Sequence, residues 1–196
     1  MQHKDIVYLI SGFMRCGTSL CTAAMEAGGL KTMYRESRDK MKDSYGDSYY
    51  DANPLGLKEM ERQDYQELGF PSKYKGYCLK LLMGGLNSMC VMPKIKIVFM
   101  RRDAEEIRQS YEAFFDRRME LDNGTFQRKV ELIIEQMHNR KDTELIEVWY
   151  RDVIENPIKQ FQRIKDFGFP IDVEKAVSVV NPELCRFRKE ILVEGI

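Results

Sequence analysis

No apolar run in this chain of 196 residues approaches the roughly 20 residues needed to cross a bilayer, which excludes a membrane-spanning helix. Neither sign of charge is in excess. Thirty-one Lys and Arg balance 31 Asp and Glu, so no global field draws the chain to nucleic acid or anionic lipid, and any anion site has to be local. Histidine is scarce, with only His3 and His138. The five cysteines (Cys16, Cys21, Cys78, Cys90 and Cys185) are odd in number and never stand in C-x-x-C spacing. That argues against a disulfide framework and against structural zinc, and it points to a reducing, cytoplasmic compartment. Met1 to Asp5 runs straight into Ile6 to Ile10, a stretch too short for a signal-peptide core and without a small-residue cleavage site.

What is present is ordinary globular material, 43% hydrophobic and 32% charged. Its length suits one compact domain over residues 1–196, without repeats, low-complexity tracts or linker-like composition. Four apolar runs rich in β-branched and aromatic residues predict strands at Ile6 to Ser11, Tyr77 to Leu82, Ile95 to Arg101 and Glu144 to Tyr150. Helical spacing joins Leu20, Ala23, Ala24 and Ala27, then Leu57, Met60, Tyr65 and Leu68. It recurs through Ile107, Tyr111, Phe114 and Phe115, and through Phe126, Val130, Ile133, Ile134 and Met137. A last helix, carried by Ile158, Phe161, Ile164 and Phe167, opens at Asn156-Pro157 and stops at Gly168. Strands alternating with helices of this length predict an α/β fold, a three-layer α/β/α sandwich around a central, mainly parallel sheet. Arg35 to Asn53 is polar and aperiodic, a long loop in which Tyr45, Tyr49 and Tyr50 either line a ligand or pack the loop itself.

Between the first strand and the first helix stands Ser11-Gly12-Phe13-Met14-Arg15-Cys16-Gly17-Thr18-Ser19-Leu20, whose glycines have the spacing of a phosphate-cradling loop. Glycine allows the backbone to approach an anion closely, while unpaired amides and the positive end of the helix dipole face it. A nucleotide triphosphatase needs lysine directly after the second glycine. This chain has Thr18 there, and its cation, Arg15, sits inside the loop. The loop resembles the 5′-phosphosulfate-binding loop of the sulfotransferases that use 3′-phosphoadenosine-5′-phosphosulfate (PAPS), with methionine at the usual proline and Cys16 at the usual serine.

After the third strand, Arg102 and Ser110 fall where that family binds the 3′-phosphate, an arginine at the strand end and a serine eight residues on. Taken alone, Arg101, Arg102, Glu105 and Glu106 also fit a solvated helix start with i,i+4 pairs. Asp51 to Glu59 is similar to a segment that opens a helix in bacterial members, Lys80 to the lysine before the acceptor pocket, and Trp149 to Pro157 to the fourth-strand signature. Arg186 lies in a stretch similar to the family's basic tail.

The resemblance implies a P-loop, NTPase-like fold and transfer of a sulfuryl group from PAPS, with adenosine 3′,5′-bisphosphate (PAP) as product, to a hydroxyl or amine of a small-molecule or glycan acceptor. It implies nucleotide contacts from Gly12, Arg15, Cys16, Gly17, Thr18, Ser19, Arg102, Ser110 and Arg186, and catalytic roles for Arg15, Glu59 and Lys80, with no metal. Many members carry a histidine base two residues after the lysine; Leu82 stands there, so the base falls to a carboxylate, Glu59, with Asp51 in reserve. Glu59 is off the apolar stripe, facing either a cleft or water. The resemblance implies neither a nucleic-acid nor a membrane partner, and the short chain leaves room for a second copy, as a homodimer, to complete the acceptor side. Two other readings stay open. One is a nucleotide or small-molecule kinase with a variant loop; the other is a catalytically silent nucleotide-binding protein.

Overall fold

The computed structural model describes residues 5–34, 55, 58–60, 72–89, 94–120 and 122–185. Its strands are β1 (Ile6–Gly12), β2 (Thr32–Met33), β3 (Cys78–Lys80), β4 (Lys94–Arg101) and β5 (Thr143–Trp149). All pair in parallel, in the order β2-β3-β1-β4-β5. The helices among the described residues are α1 (Thr18–Ala27), α2 (Met83–Leu86), α3 (Ala104–Phe115), α4 (Asn123–His138), α5 (Tyr150–Glu155), α6 (Pro157–Asp166) and α7 (Val173–Val177). α1, α6 and α7 pack as one layer, and α2 and α4 as the other. The expected three-layer α/β/α architecture is the one found.

The sheet explains why its strands read as unbroken apolar runs. Val7 to Ser11 on β1 and Ile97 to Met100 on β4 are buried whichever way the side chain points, because helices cover both faces. Tyr8, for instance, meets Phe169 beyond α6, with ring centroids 4.9 Å apart. One strand was not expected. β2 has two residues and pairs only with β3, too short a stretch for any alternation to register. The predicted strand Tyr77 to Leu82 contracts to β3, and the predicted strand Glu144 to Tyr150 becomes Thr143–Trp149, because Tyr150 already opens α5. The predicted loop Arg35 to Asn53 lies outside the described residues, as does most of the helix predicted through Leu57 and Leu68. Lys58, Glu59 and Met60 are described, and they are not helical.

Topology sets the site. The chain leaves β1 toward β2 and β3 on one side and then crosses to β4 on the other, so the connections part between β1 and β4. A crevice opens beyond the carboxyl ends of such strands. Register makes those ends level, with Gly12 opposite Met100 and Ile10 opposite Lys80. Gly12 at φ 145° marks the exit from β1; a Cβ there would lie 2.6 Å from the Met100 carbonyl oxygen. Replacing it by alanine puts a side chain into a backbone region that costs a non-glycine residue roughly 1–3 kcal/mol before the collision is counted. Gly12→Ala is therefore expected to lower the urea midpoint, and an unchanged midpoint would show that β1 and β4 can separate at this rung.

Candidate functional site

The loop from Gly12 to Gly17 is shaped by three residues of positive φ: Gly12 (145°), Arg15 (66°) and Gly17 (86°). Within it the Cys16 N–H donates to the Phe13 carbonyl at 3.3 Å, closing a turn. Gly17 is then the N-cap of α1, and no side chain caps this helix. α3 and α4 start differently, since Asp103 accepts from the Glu105 N–H and Asp122 from the Thr125 N–H. The first-turn amides of α1 carry the positive end of the helix dipole into the crevice, and no acidic residue stands in that turn. Gly17 must be glycine for a second reason: a Cβ would stand 2.3 Å from the Tyr150 ring, which presses on the loop from the end of β5.

From the β4 side two side chains close on this loop. The Arg102 Nη1 donates to the Arg15 carbonyl at 3.0 Å, and its guanidinium lies 4.5 Å over the Tyr150 ring. In the opposite direction the Arg15 Nε donates to Ser110 Oγ on α3 at 3.1 Å, with its guanidinium 4.4 Å over Phe114. Arg15, Arg102 and Ser110, 95 residues apart at most in sequence, thus meet in one cluster. Arg102 and Ser110 are both buried, and Glu106, one turn into α3, accepts from the Arg102 Nε at 3.1 Å and from the Arg151 Nη2 at 2.9 Å. The pair Arg102–Glu106 has the i,i+4 spacing of a solvated helix start, but it is interior. Arg101, its sequence neighbour, is turned sideways, donating to Glu147 on β5 and to Gln127 and Glu131 on α4.

From the β3 side comes a lysine. Lys80, 2% exposed, donates to Ser19 Oγ at 2.9 Å and lies 3.7 Å from the Glu59 carboxylate. Glu59 is buried as well, so it does not face water, and it does not sit in a helical turn. Its neighbours fix it. Lys58 pairs with Glu26 of α1 at 2.7 Å, while the Met60 N–H reaches the Lys80 carbonyl at 3.4 Å. Thr18 is buried, its methyl 3.3 Å from where a Cβ on Gly12 would be, and its carbonyl accepts from Thr22 Oγ1. Asp51, Tyr45, Tyr49, Tyr50 and Arg186 lie outside the described residues.

Sequence reasoning missed Glu106, Tyr150 and Arg151 as parts of this cluster. Tyr150 and Arg151 stand in the segment quoted for the fourth strand, but only the fold brings that strand end against Gly17. Cys16, at the helix start, is a packing residue sealed at 2% exposure, and burial pushes its pKa up to about 12 despite the nearby Arg102. Cys21 is pushed up to about 12 by burial too, and the Tyr150 phenol to about 12, first by burial and then by Cys185.

The fold and the loop together define a parallel α/β/α chain with a glycine-flanked loop between β1 and α1. It matches no family model and no curated protein. Solved structures similar to it include two of different activity. One is a sugar kinase from Janibacter sp., unliganded, at 10% identity and TM-score 0.44 over 89% of this chain and 98% of that one. The other is a retinol dehydratase in complex with androsterone and the inactive cofactor PAP, at 16% identity and TM-score 0.41 over 91% of this chain. The match spans 64% of the dehydratase.

The buried thiols give a test of this packing. Unfolded, Cys16 and Cys21 release their protons near pH 9 and Tyr150 near pH 10; folded, they hold them to about pH 12. The folded chain then binds more protons than the unfolded one, so these groups leave stability intact below pH 9 and remove it progressively from there to pH 12. Alkylation of the native protein at pH 8 is expected to spare Cys16 and Cys21 and, among the described cysteines, to reach the half-buried Cys185 first, as read by peptide mass mapping.

Proposed function

We propose that this chain is a sulfotransferase that moves a sulfuryl group from PAPS to a hydroxyl or amine acceptor. One observation carries the reading: Arg102 is tied to the Arg15 carbonyl and Arg15 to Ser110, so the β1 loop and the β4 end meet in one cluster of cations and a hydroxyl. A nucleotide with phosphates at both its 5′ and 3′ positions calls for groups from two sides. Two further features favour that donor. The start of α1 has no side-chain cap, and the position that carries lysine in a triphosphatase is Thr18, whose side chain is buried.

PAPS, when bound, supplies an activated sulfuryl group on a bridging oxygen. Loop amides from Arg15 to Ser19 would hold the 5′ end, with the Thr18 and Ser19 hydroxyls, while Arg102 and Ser110 take the 3′-phosphate. As the acceptor oxygen or nitrogen bonds to sulfur, the bond from sulfur to the bridging oxygen breaks, and its electron pair leaves with PAP. Arg15 from the loop and Lys80 from β3 supply the positive charge that meets this oxygen. The acceptor's proton passes to the Glu59 carboxylate, which Lys80 holds in place from 3.7 Å away. Ser110 Oγ and Ser19 Oγ keep Arg15 and Lys80, respectively, from drifting when the crevice fills.

Thermal shift separates this reading from a kinase. PAP is expected to raise the melting temperature and magnesium ATP to leave it unchanged, and selective stabilisation by magnesium ATP would favour phosphoryl transfer instead. Release of PAP from PAPS, followed by chromatography, separates an enzyme from a silent binder. Arg15→Ala is expected to lower that release about 100-fold with the circular dichroism spectrum unchanged, the size of effect seen when one oxyanion donor is removed. Glu59→Gln should depress turnover to an added acceptor across the whole pH-rate profile, and wild-type turnover in that variant would remove Glu59 from the mechanism.

A further inference from the structure

Both oxygens of the Glu106 carboxylate are engaged, Oε2 by the Arg102 Nε at 3.1 Å and Oε1 by the Arg151 Nη2 at 2.9 Å. The Glu106 side chain is 4% exposed and that of Arg102 6%, whereas Arg151 keeps 31%. A carboxylate withdrawn from water this far is costly unless its geometry is met on every side, and an apolar residue would hold α3 to α5 at less expense. The same carboxylate is shared between two guanidiniums, so it ties Arg102 to Arg151.

The planar fork of Arg102 is fixed three times over: Nε on Glu106, Nη1 on the Arg15 carbonyl, and its face on the Tyr150 ring. A guanidinium pinned at these points has its plane set before any ligand arrives. We propose that Glu106 is a positioning residue that aims Arg102 at the 3′-phosphate of the nucleotide, and that Arg151, tied through the same carboxylate, adds its charge to that pocket. The inference rests on the nucleotide reading above and extends it to two residues which that reading leaves without a role.

Calorimetric titration with PAP and with adenosine 5′-phosphate, which lacks the 3′-phosphate, tests it on wild type, Glu106→Gln, Glu106→Asp and Arg151→Gln. Wild type is expected to prefer PAP. Glu106→Gln is expected to lose about tenfold in PAP affinity, the worth of a charge-assisted hydrogen bond set askew, while adenosine 5′-phosphate changes less than about twofold. Glu106→Asp, which keeps the charge but shortens the reach, should lose PAP affinity as well. Arg151→Gln, at a half-exposed residue, should lose about threefold for PAP alone, and it carries the test if the Glu106 variants fail to fold. Equal losses for both nucleotides would reduce Glu106 to a staple between α3 and α5, and unchanged or tighter PAP binding in Glu106→Gln would show that orientation is not its role. Either result overturns the inference while leaving the nucleotide reading intact. A wild-type protein that does not distinguish PAP from adenosine 5′-phosphate overturns both.

Discussion

A guanidinium from the end of one strand holding the carbonyl of a residue in the loop that follows another is the contact on which the rest of this site depends. Arg102 reaches the Arg15 carbonyl, and Arg15 can present it only because its backbone takes a left-handed conformation, one that ordinarily disfavours a residue with a Cβ. The tie offsets that cost and in doing so sets the curvature of the loop. Below it, Glu106 keeps Arg102 from swinging out to water. Breaking such a buried pair from one side typically costs about 3–5 kcal/mol, because the remaining charge is left uncompensated. Loop shape, charge placement and local stability are therefore one problem here.

The opposite wall of the crevice follows the same logic with a different cation. Lys80 issues from β3 at the rung opposite Ile10 and is almost completely enclosed, yet its ammonium has Ser19 on one side and Glu59 on the other. Glu59 in turn depends on Lys58 gripping α1 and on Met60 touching β3, so a short irregular stretch is fastened at both ends to the elements that carry the loop. The sheet brings these parts together. Parallel strands in level register deliver their carboxyl ends to one rim, and the rim collects the chemistry.

Much of this was legible from residue order. Parallel architecture followed from apolar runs that did not alternate and the loop from two glycines around an arginine, while Arg102 and Ser110 were singled out by the family resemblance and are joined in the fold through Arg15. What was not legible had a physical reason in each case. β2 is two residues long, below the length at which a pattern exists. Glu59 read as exposed or cleft-facing with equal right, because periodicity reports which side of a helix a residue occupies and this residue is in no helix. Arg102–Glu106 has the spacing of any surface pair, and only the layer of β5 and α5 above it turns it inward. The pKa of Cys16 is set by its burial, which residue order does not report.

The contact between Gly17 and the Tyr150 ring joins positions 133 residues apart in a way that constrains variation at both. With the ring in place, residue 17 is confined to the smallest side chain; with a small residue at 150, the loop loses the wall against which it is moulded, and Arg102 loses the surface it rests on. Neither site can drift alone. Among diverged copies of this chain, the two should change as a pair or not at all, and randomising the loop without touching the end of β5 would sample mostly sequences that the neighbouring ring has already ruled out.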